Sequence, residues 1–421
     1  MVEIDSEKLL SDLININTVN GNEKEIADYL ERIFQDNNVK IKRLKYADKR
    51  ETLVAEVGTG EKPVLAFDGH EDTVAFGDLK AWKQSPLEAK RDGDVIYGRG
   101  ASDMKSGLAA EVLALLALKK KESELKGTVR LFATVGEEVG ELGAEQIMQQ
   151  QLAADVDALI VGEPTGTQTE LLKKSNFYMN RNLSNQQIAD MISANQLGEQ
   201  YFVVIGHKGG VLQYKVVAHG KSAHSSMPEL GHNAIEDLFK FVQVQTEYFS
   251  TLTTENNLLG KVTPVMTLLS GGEQVNTVPD KAEIAVNIRT LPEKDGDSLE
   301  KDIKGGLITE LNEQGGADLE FKVLEKVDPV YSKDELTLAN LAKKIAAPLL
   351  EQQLTFTGMS GGTDASFLTK NNPEMEMIVF GPGNISESHK ENEFVNVKAY
   401  KQFIKIYTKI AVKFLEYHAD D

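Results

Sequence analysis

Four short apolar runs set the terms for this chain: VLAF at 64–67, VRLFATV at 129–135, ALIV at 158–161 and MIVF at 377–380. Each is followed by glycine and, close by, a histidine or glutamate: Asp68-Gly69-His70, Gly136-Glu137-Glu138, Gly162-Glu163, and GPGN leading to His389. Uninterrupted apolar strands, separated by helical segments such as SGLAAEVLALLALKKK (106–121), fit a largely parallel sheet covered on both faces. In an open α/β sheet, ligands bind in the crevice at the carboxyl ends of the strands. Glycine lets the chain turn sharply there. The pattern therefore predicts that side chains from four distant stretches meet at one end of one sheet.

At 421 residues the chain is too long for a single compact core, and two domains are expected. Near the start, Asn22 followed by Glu25 has the form of a capping box, and Ile26, Leu30 and Phe34 then recur with helical spacing. The last segment places Tyr400, Phe403, Ile404, Tyr407, Ile410, Ala411, Phe414 and Leu415 on one helical stripe. Between these, the pattern changes to strand 212–219, helix 231–248, strands 262–269 and 282–289, helix 297–313 and strand 318–326. That βαββαβ order is the ferredoxin-like unit. The expected organisation is an α/β domain with a mostly parallel mixed sheet flanked by helices, built from residues 1–205 and 328–421, with an α+β ferredoxin-like domain, 206–327, inserted in it. NLSNQQIADMISANQLGEQ, within the less legible 164–205 stretch, reads as polar and helical.

Composition narrows the function classes. The chain has no cysteine, which excludes disulfides, thiolate metal sites and cysteine nucleophiles. The start, MVEIDSEKLL, lacks signal-peptide features, and no run reaches the ~20 apolar residues of a membrane helix. A cytoplasmic location is expected. A net charge of −19 argues against nucleic acid or an anionic membrane as partner.

The converging strand ends pose an electrostatic problem. GRGASDMKSG (98–107) adds Asp103 at the entrance to the helix 106–121. It is not a phosphate loop, because Met104 stands where that motif needs glycine before Lys105-Ser106, and Asp103 would repel a phosphate. Asp103, Glu137, Glu138 and Glu163 together bring four negative charges into one crevice. At ~4 Å and an effective dielectric of about 20, each pair repels by roughly 4 kcal/mol. Protonation relieves part of this; two divalent cations relieve more, with His70 and His389 as nitrogen ligands. A His/carboxylate set without thiolate suits Zn²⁺, and also Co²⁺ or Mn²⁺. Asp72, two residues beyond His70, is placed to hold the other imidazole nitrogen.

GHEDTV, GRGASDMKSG, GEEVGELGA, VGEPTG, GKSAHSSMPELGHNAI, SGGEQVNTVP, NIRT, SGGTDASF and GPGN…SHKENEFV, taken in order, resemble the dinuclear-zinc amidohydrolases and exopeptidases. That family includes succinyl-diaminopimelate desuccinylase, acetylornithine deacetylase, aminoacylase and the glutamate carboxypeptidases, and the likeness covers nearly the whole chain. The resemblance implies a zinc-exopeptidase-like fold whose inserted domain is a lid and dimerisation element. It implies Asp103 as a bridge between two metals, His70 and Glu163 completing one site, and Glu138 and His389 the other. Glu137 becomes the general base, Asp72 the orienter of His70, and His224 the group that polarises the scissile carbonyl. Asn276 and Arg289, with Gly361, Gly362 and Thr363 nearby, bind the substrate's carboxylate end. His207, His219, His232 and His418 receive no role.

The implied activity is hydrolysis of an N-acyl amino acid amide by a metal-bridging hydroxide, with N-succinyl-diaminopimelate or N-acetylornithine the first expectations. A di- or tripeptidase or carboxypeptidase is the alternative within the family, and a non-catalytic metal or amino-acid binding protein the alternative outside it. A homodimer joined through the lid is implied. Two departures stand out: residues about 168–205 form an insertion, and the loop from GPGN to His389 is one residue longer than the pattern.

Overall fold

The four apolar runs lie side by side in one sheet. In the computed structural model, which describes residues 4–174, 183–194, 198–207, 210–332 and 337–419, strand Val64–His70 lies between Thr128–Thr134 and Ala158–Gln168, with Glu376–Asn384 beyond the latter. All three pairings are parallel. The flanks are antiparallel: the hairpin Lys40–Ala47/Arg50–Gly58 pairs with Thr128–Thr134, and Val203–His207 pairs with Glu376–Asn384. Every residue of Val64–His70 is buried, as expected for a strand covered on both faces. The hairpin shows no continuous apolar run because many residues of its edge strand, including Lys40, Lys42 and Lys45, face water.

Helices Ser6–Asn15, Lys105–Lys119, Val397–Tyr417 and Thr337–Leu350 pack against one another in sequence-distant pairs. The last long helix buries the expected stripe, with Ile406 rather than Ile404 as a buried member. Its Tyr407 hydroxyl donates to the carbonyl of Phe380 at 2.7 Å, anchoring the helix to a central strand. Helix Lys24–Asp36 is present, but the capping box is not. Asn22 is left-handed (φ 66°) and its amide donates to the Asn17 carbonyl, while Glu23, the residue before the helix, binds Arg50. The segment read as wholly helical near 182–200 holds helix Asn185–Ala194 and then turns into strand Glu199–Tyr201, with residues 195–197 outside the described residues.

Residues His207–Val330 and Ser360–Gly362 form a second compact unit. Its four strands run in the order Thr263–Gly271, Lys281–Arg289, Val211–His219, Leu319–Val327, all antiparallel. One face packs Leu212, Tyr214, Val216, Ile284, Val286 and Ile288 against Leu238, Phe241, Leu299 and Ile303 of the two helical segments. The second of these, Gly296–Gly315, contains a π-helical stretch at Lys301–Ile308. Among the described residues no helix is long and apolar enough to cross a membrane.

Beneath the strand ends, the helix Lys105–Lys119 approaches the sheet backbone to backbone. A Cβ on Gly107 would stand 2.0 Å from the Gly162 carbonyl oxygen, and so would one on Gly381. Gly107→Ala is therefore expected to destabilise the protein by about 1–3 kcal/mol through overpacking. Gly306→Ala, where a Cβ meets nothing within 4 Å, should be neutral or mildly stabilising. Denaturant unfolding of the two variants compares them directly; equal stabilities would contradict the close approach.

Candidate metal centre

Register alone brings the first pair together. Asp68 is aligned with Val161 on the neighbouring parallel strand, so His70 and Glu163, two residues further along each, are lateral neighbours. The result is 3.2 Å between His70 Nε2 and a Glu163 carboxylate oxygen. On the other side His70 is aligned with Thr134. Past that strand the chain turns at Gly136, whose φ of 68° favours glycine, into the short helical turn Glu137–Val139. The Asp72 carboxylate accepts the backbone N–H groups of Glu137 and Glu138 at 3.1 and 3.3 Å. Asp72 thus differs from expectation in one respect. Its backbone carbonyl, not its carboxylate, is the nearer partner of His70 Nδ1, at 3.0 Å against 3.6 Å.

Asp103 is the central member. Its Oδ1 lies 3.3 Å from His70 Nε2 and its Oδ2 lies 3.4 Å from His389 Nε2. His389 Nε2 is in turn 3.1 Å from the Glu138 carboxylate. His70, Glu137 and Glu163 present donor atoms within 4.8 Å of one another, as do His70, Asp103 and Glu138. Donor atoms sharing one tetrahedral ion at bond lengths of ~2.0–2.2 Å stand roughly 3.3–3.6 Å apart. The spacings found here, 3.1 to 3.4 Å, are close to that edge length. Four carboxylates against two imidazoles also leave negative charge that suits divalent cations. The donor set therefore suits divalent cations.

Ionisation follows the same crowding. Burial, then the charge of Asp103, pushes Glu163 up to about 8. Burial, reinforced by Glu163 and Glu138, raises Glu137 well above the ordinary carboxylate range, and Glu138 is raised by burial and by Asp103. Hydrogen bonds to Asp103 and Glu138 push His389 up to about 10. Asp103 goes the other way: burial opposes its charge, but the hydrogen bonds and charges of His389 and His70 outweigh burial and lower it.

Several residues of this centre carry no role in the sequence reading. Glu393 is wholly buried and accepts the backbone N–H groups of Gly100, Ser102 and Asp103 at 3.1, 2.8 and 2.9 Å, along with Arg99 Nη1 at 2.7 Å. Arg99 also donates to the Lys390 carbonyl at 3.1 Å, so one buried ion pair ties the Asp103 loop to the His389 loop. Both residues sit inside motifs already singled out, four positions from Asp103 and His389 respectively. Asp364, in SGGTDASF, is buried, accepts the Thr134 hydroxyl at 2.5 Å, and is pushed up to about 7 by burial. Glu111, the lone acid within an apolar helix, is a signal the sequence does display. Its oxygens and those of Asp68 are buried without a hydrogen-bond partner among the described residues.

Of the remaining predicted residues, Thr363 alone belongs to the same compact unit as these. His224, Asn276 and Arg289 belong to the second unit, which also claims Gly361 and Gly362, whereas Thr363 is a buried member of the first. His224 Nδ1 accepts the Ser226 backbone N–H at 3.1 Å and lies 2.8 Å from its hydroxyl, which leaves the ring proton on Nε2. The Asn276 carbonyl accepts the Ser225 N–H at 3.0 Å. Arg289 closes strand Lys281–Arg289 and has no ion pair with a carboxylate among the described residues.

A model of peptidase family M20/M25/M40 matches residues 66–413. A Staphylococcus aureus (strain MSSA476) protein named "Probable succinyl-diaminopimelate desuccinylase" is 32% identical, with 97% of each chain covered. The aminopeptidase PepT from Bacillus cereus superposes with a TM-score of 0.72 at 19% identity, covering 98% of this chain and 99% of that one. The Bacillus subtilis YXEP protein, a dinuclear metal-binding peptidase of the M20 family, superposes with a TM-score of 0.66 at 18% identity, covering 98% of each.

At pH 7, Glu163 and His389 of the metal-free centre lie below their raised values and hold protons. Ions must expel those protons to bind, so uptake should release at least one proton per chain and affinity should fall as pH drops from about 8 to 6. Calorimetric titration with Zn²⁺ in two buffers of different ionisation enthalpy measures this. Uptake without proton release would contradict the assignment of the ligands.

Proposed function

This chain belongs to peptidase family M20/M25/M40 and is a metal-dependent hydrolase of amide or peptide bonds, and we propose that it is an N-acyl amino acid deacylase acting on N-succinyl-diaminopimelate or a close analogue such as N-acetylornithine. The observation that carries the reading is Asp103, whose two oxygens face different histidines at 3.3 and 3.4 Å. The identity to the staphylococcal relative over 97% of both chains supports the substrate class. His70 with Glu163, and His389 with Glu138, complete the two ion sites about Asp103. Zinc is the first candidate, with cobalt and manganese compatible with the same donors.

Bound at these residues, the ions would lower the pKa of water towards ~7 and polarise the substrate carbonyl. The chain supplies the rest. Glu137, on a turn held by Asp72, takes the proton and passes it to the leaving amine. Such a role is typically worth about 10²–10⁴ in rate. His224, with its ring proton on Nε2, has the form of a donor to a developing oxyanion. Arg289, without a carboxylate partner among the described residues, and Asn276 bind the substrate's carboxylate end, where a guanidinium offers a bidentate fork. Gly361, Gly362 and Thr363 belong to the same substrate-binding reading.

The second unit, 206–327 in this reading, acts as a lid and joins two copies in a cytoplasmic homodimer. Its edge strand Thr263–Gly271 supports the pairing of two copies, because Val265, Met266, Leu268 and Leu269 are 43–68% exposed there. Such a strand is a pairing surface that a monomer would normally blunt.

A panel of N-succinyl-diaminopimelate, N-acetylornithine and short peptides, assayed with Zn²⁺, Co²⁺ and Mn²⁺, tests the substrate class. The expected result is faster turnover of an N-acyl amino acid than of any peptide, and loss of about 10²–10⁴ in kcat for Glu137→Gln with both ions retained. Preferential peptide cleavage would replace the deacylase with a peptidase, and binding without turnover would leave a non-catalytic binder. Leu268→Asp should shift the sedimenting species from dimer to monomer; an unchanged species would remove this strand from the interface.

A further inference from the structure

The two histidines are held by different means. His70 ends a central strand, is 1% exposed, and has the Asp72 carbonyl on its second nitrogen. His389 lies on a loop, its side chain is 54% exposed, and its Nδ1 has no hydrogen-bond partner among the described residues. Its φ of 62° is one that a non-glycine residue keeps only where the surroundings fix it. On the amino-terminal side, the segment 384–387 that leads to it is held by residues of the 168–205 stretch.

Two side-chain hydrogen bonds and an apolar contact run from that stretch to residues 384–387, beside one hydrogen bond to Gly166 and one within the segment itself. The Ile385 N–H donates to the Gly166 carbonyl at 2.9 Å. The Gln168 amide donates to the Glu387 carboxylate at 2.7 Å. The Asn384 amide donates to Glu199 Oε1 at 3.0 Å, and Asn384 Oδ1 accepts the Ser386 N–H at 3.0 Å. Ile385 packs on Leu172 and Phe202 with Leu183 and Ile188. Glu199 is 5% exposed, and its other oxygen meets the Tyr201 hydroxyl at 2.9 Å, which also lies 2.9 Å from the Pro382 carbonyl. A buried carboxylate with both oxygens hydrogen-bonded is a rigid anchor, because moving it would leave buried acceptors without those hydrogen bonds.

We propose that Glu199 and Gln168 are positioning residues: through the 384–387 segment they clamp the His389 loop and thereby set the affinity of the ion held by Asp103, Glu138 and His389, leaving the ion at His70 and Glu163 unaffected. The inference rests on the two-ion reading of the centre. It gives the 168–205 stretch a role in metal occupancy. Groups that orient a ligating histidine from outside typically change affinity by about 10–100-fold when removed.

The test is calorimetric titration of Zn²⁺ into metal-free, full-length protein. Wild type should show two binding steps, and His389→Ala identifies which step belongs to the loop site. In Glu199→Ala that same step should weaken by about 10–100-fold while the other stays within about twofold. Gln168→Ala, at a partly exposed position with less effect on folding, should weaken the same step by at least about threefold. Glu199→Gln, which keeps one acceptor oxygen, should recover part of the loss. The clamp is refuted if Gln168→Ala and any folded Glu199 variant leave both steps unchanged, or weaken both equally. A wild-type protein that takes up no ions would instead refute the two-ion reading on which the clamp depends.

Discussion

Parallel register is the constraint from which the centre follows. Once Asp68 is paired with Val161, His70 and Glu163 have nowhere to go but beside each other, and the next strand delivers Gly136 and the two glutamates to the same edge. Like charges are concentrated here by hydrogen-bond geometry, not despite it. Burial and that crowding together push Glu163 up to about 8, and hydrogen bonds to Asp103 and Glu138 push His389 up to about 10. In the absence of cations, protons would have to do their work, and two doubly charged ions do it more completely.

The supporting structure is built to resist that repulsion. Glu393 gathers three backbone N–H groups of the Asp103 loop and pairs with Arg99, which also holds the His389 loop through the Lys390 carbonyl. Asp72 performs a similar service for the Glu137 turn, and the close helix–sheet approach at Gly107 and Gly162 fixes the helix that begins just after Asp103. Each of these groups is buried and hydrogen-bonded, so each acts by making one geometry much cheaper than its neighbours.

Much of this was legible in the sequence, for definite reasons. Central strands covered on both faces are dominated by apolar residues, so 64–67, 158–161 and 377–380 appear as bare apolar runs, 129–135 carries only one charge, Arg130, which reaches out to Glu56 and Asp155, and the glycines mark where the runs stop. The βαββαβ unit is legible because its strands and helices alternate cleanly. The hairpin at 40–58 was hidden because its outer strand is largely exposed and reads as polar. Asn22 had the form of a cap, but local pattern cannot show that Glu23 would be claimed by Arg50, 27 positions away. The carbonyl-for-carboxylate exchange at Asp72 was likewise out of reach, since two residues of extended chain offer both groups to the same histidine. Glu199 lay in a segment with helical propensity that forms a strand because it pairs with Gly166–Gln168.

The claim underlying the account is that two ions flank Asp103. Anomalous diffraction from crystals grown with zinc locates them directly. Two peaks are expected, one on the Oδ1 side against His70 and Glu163, the other on the Oδ2 side against His389 and Glu138. A zinc-replete crystal with density at neither position, or with a single ion not touching Asp103, would contradict it.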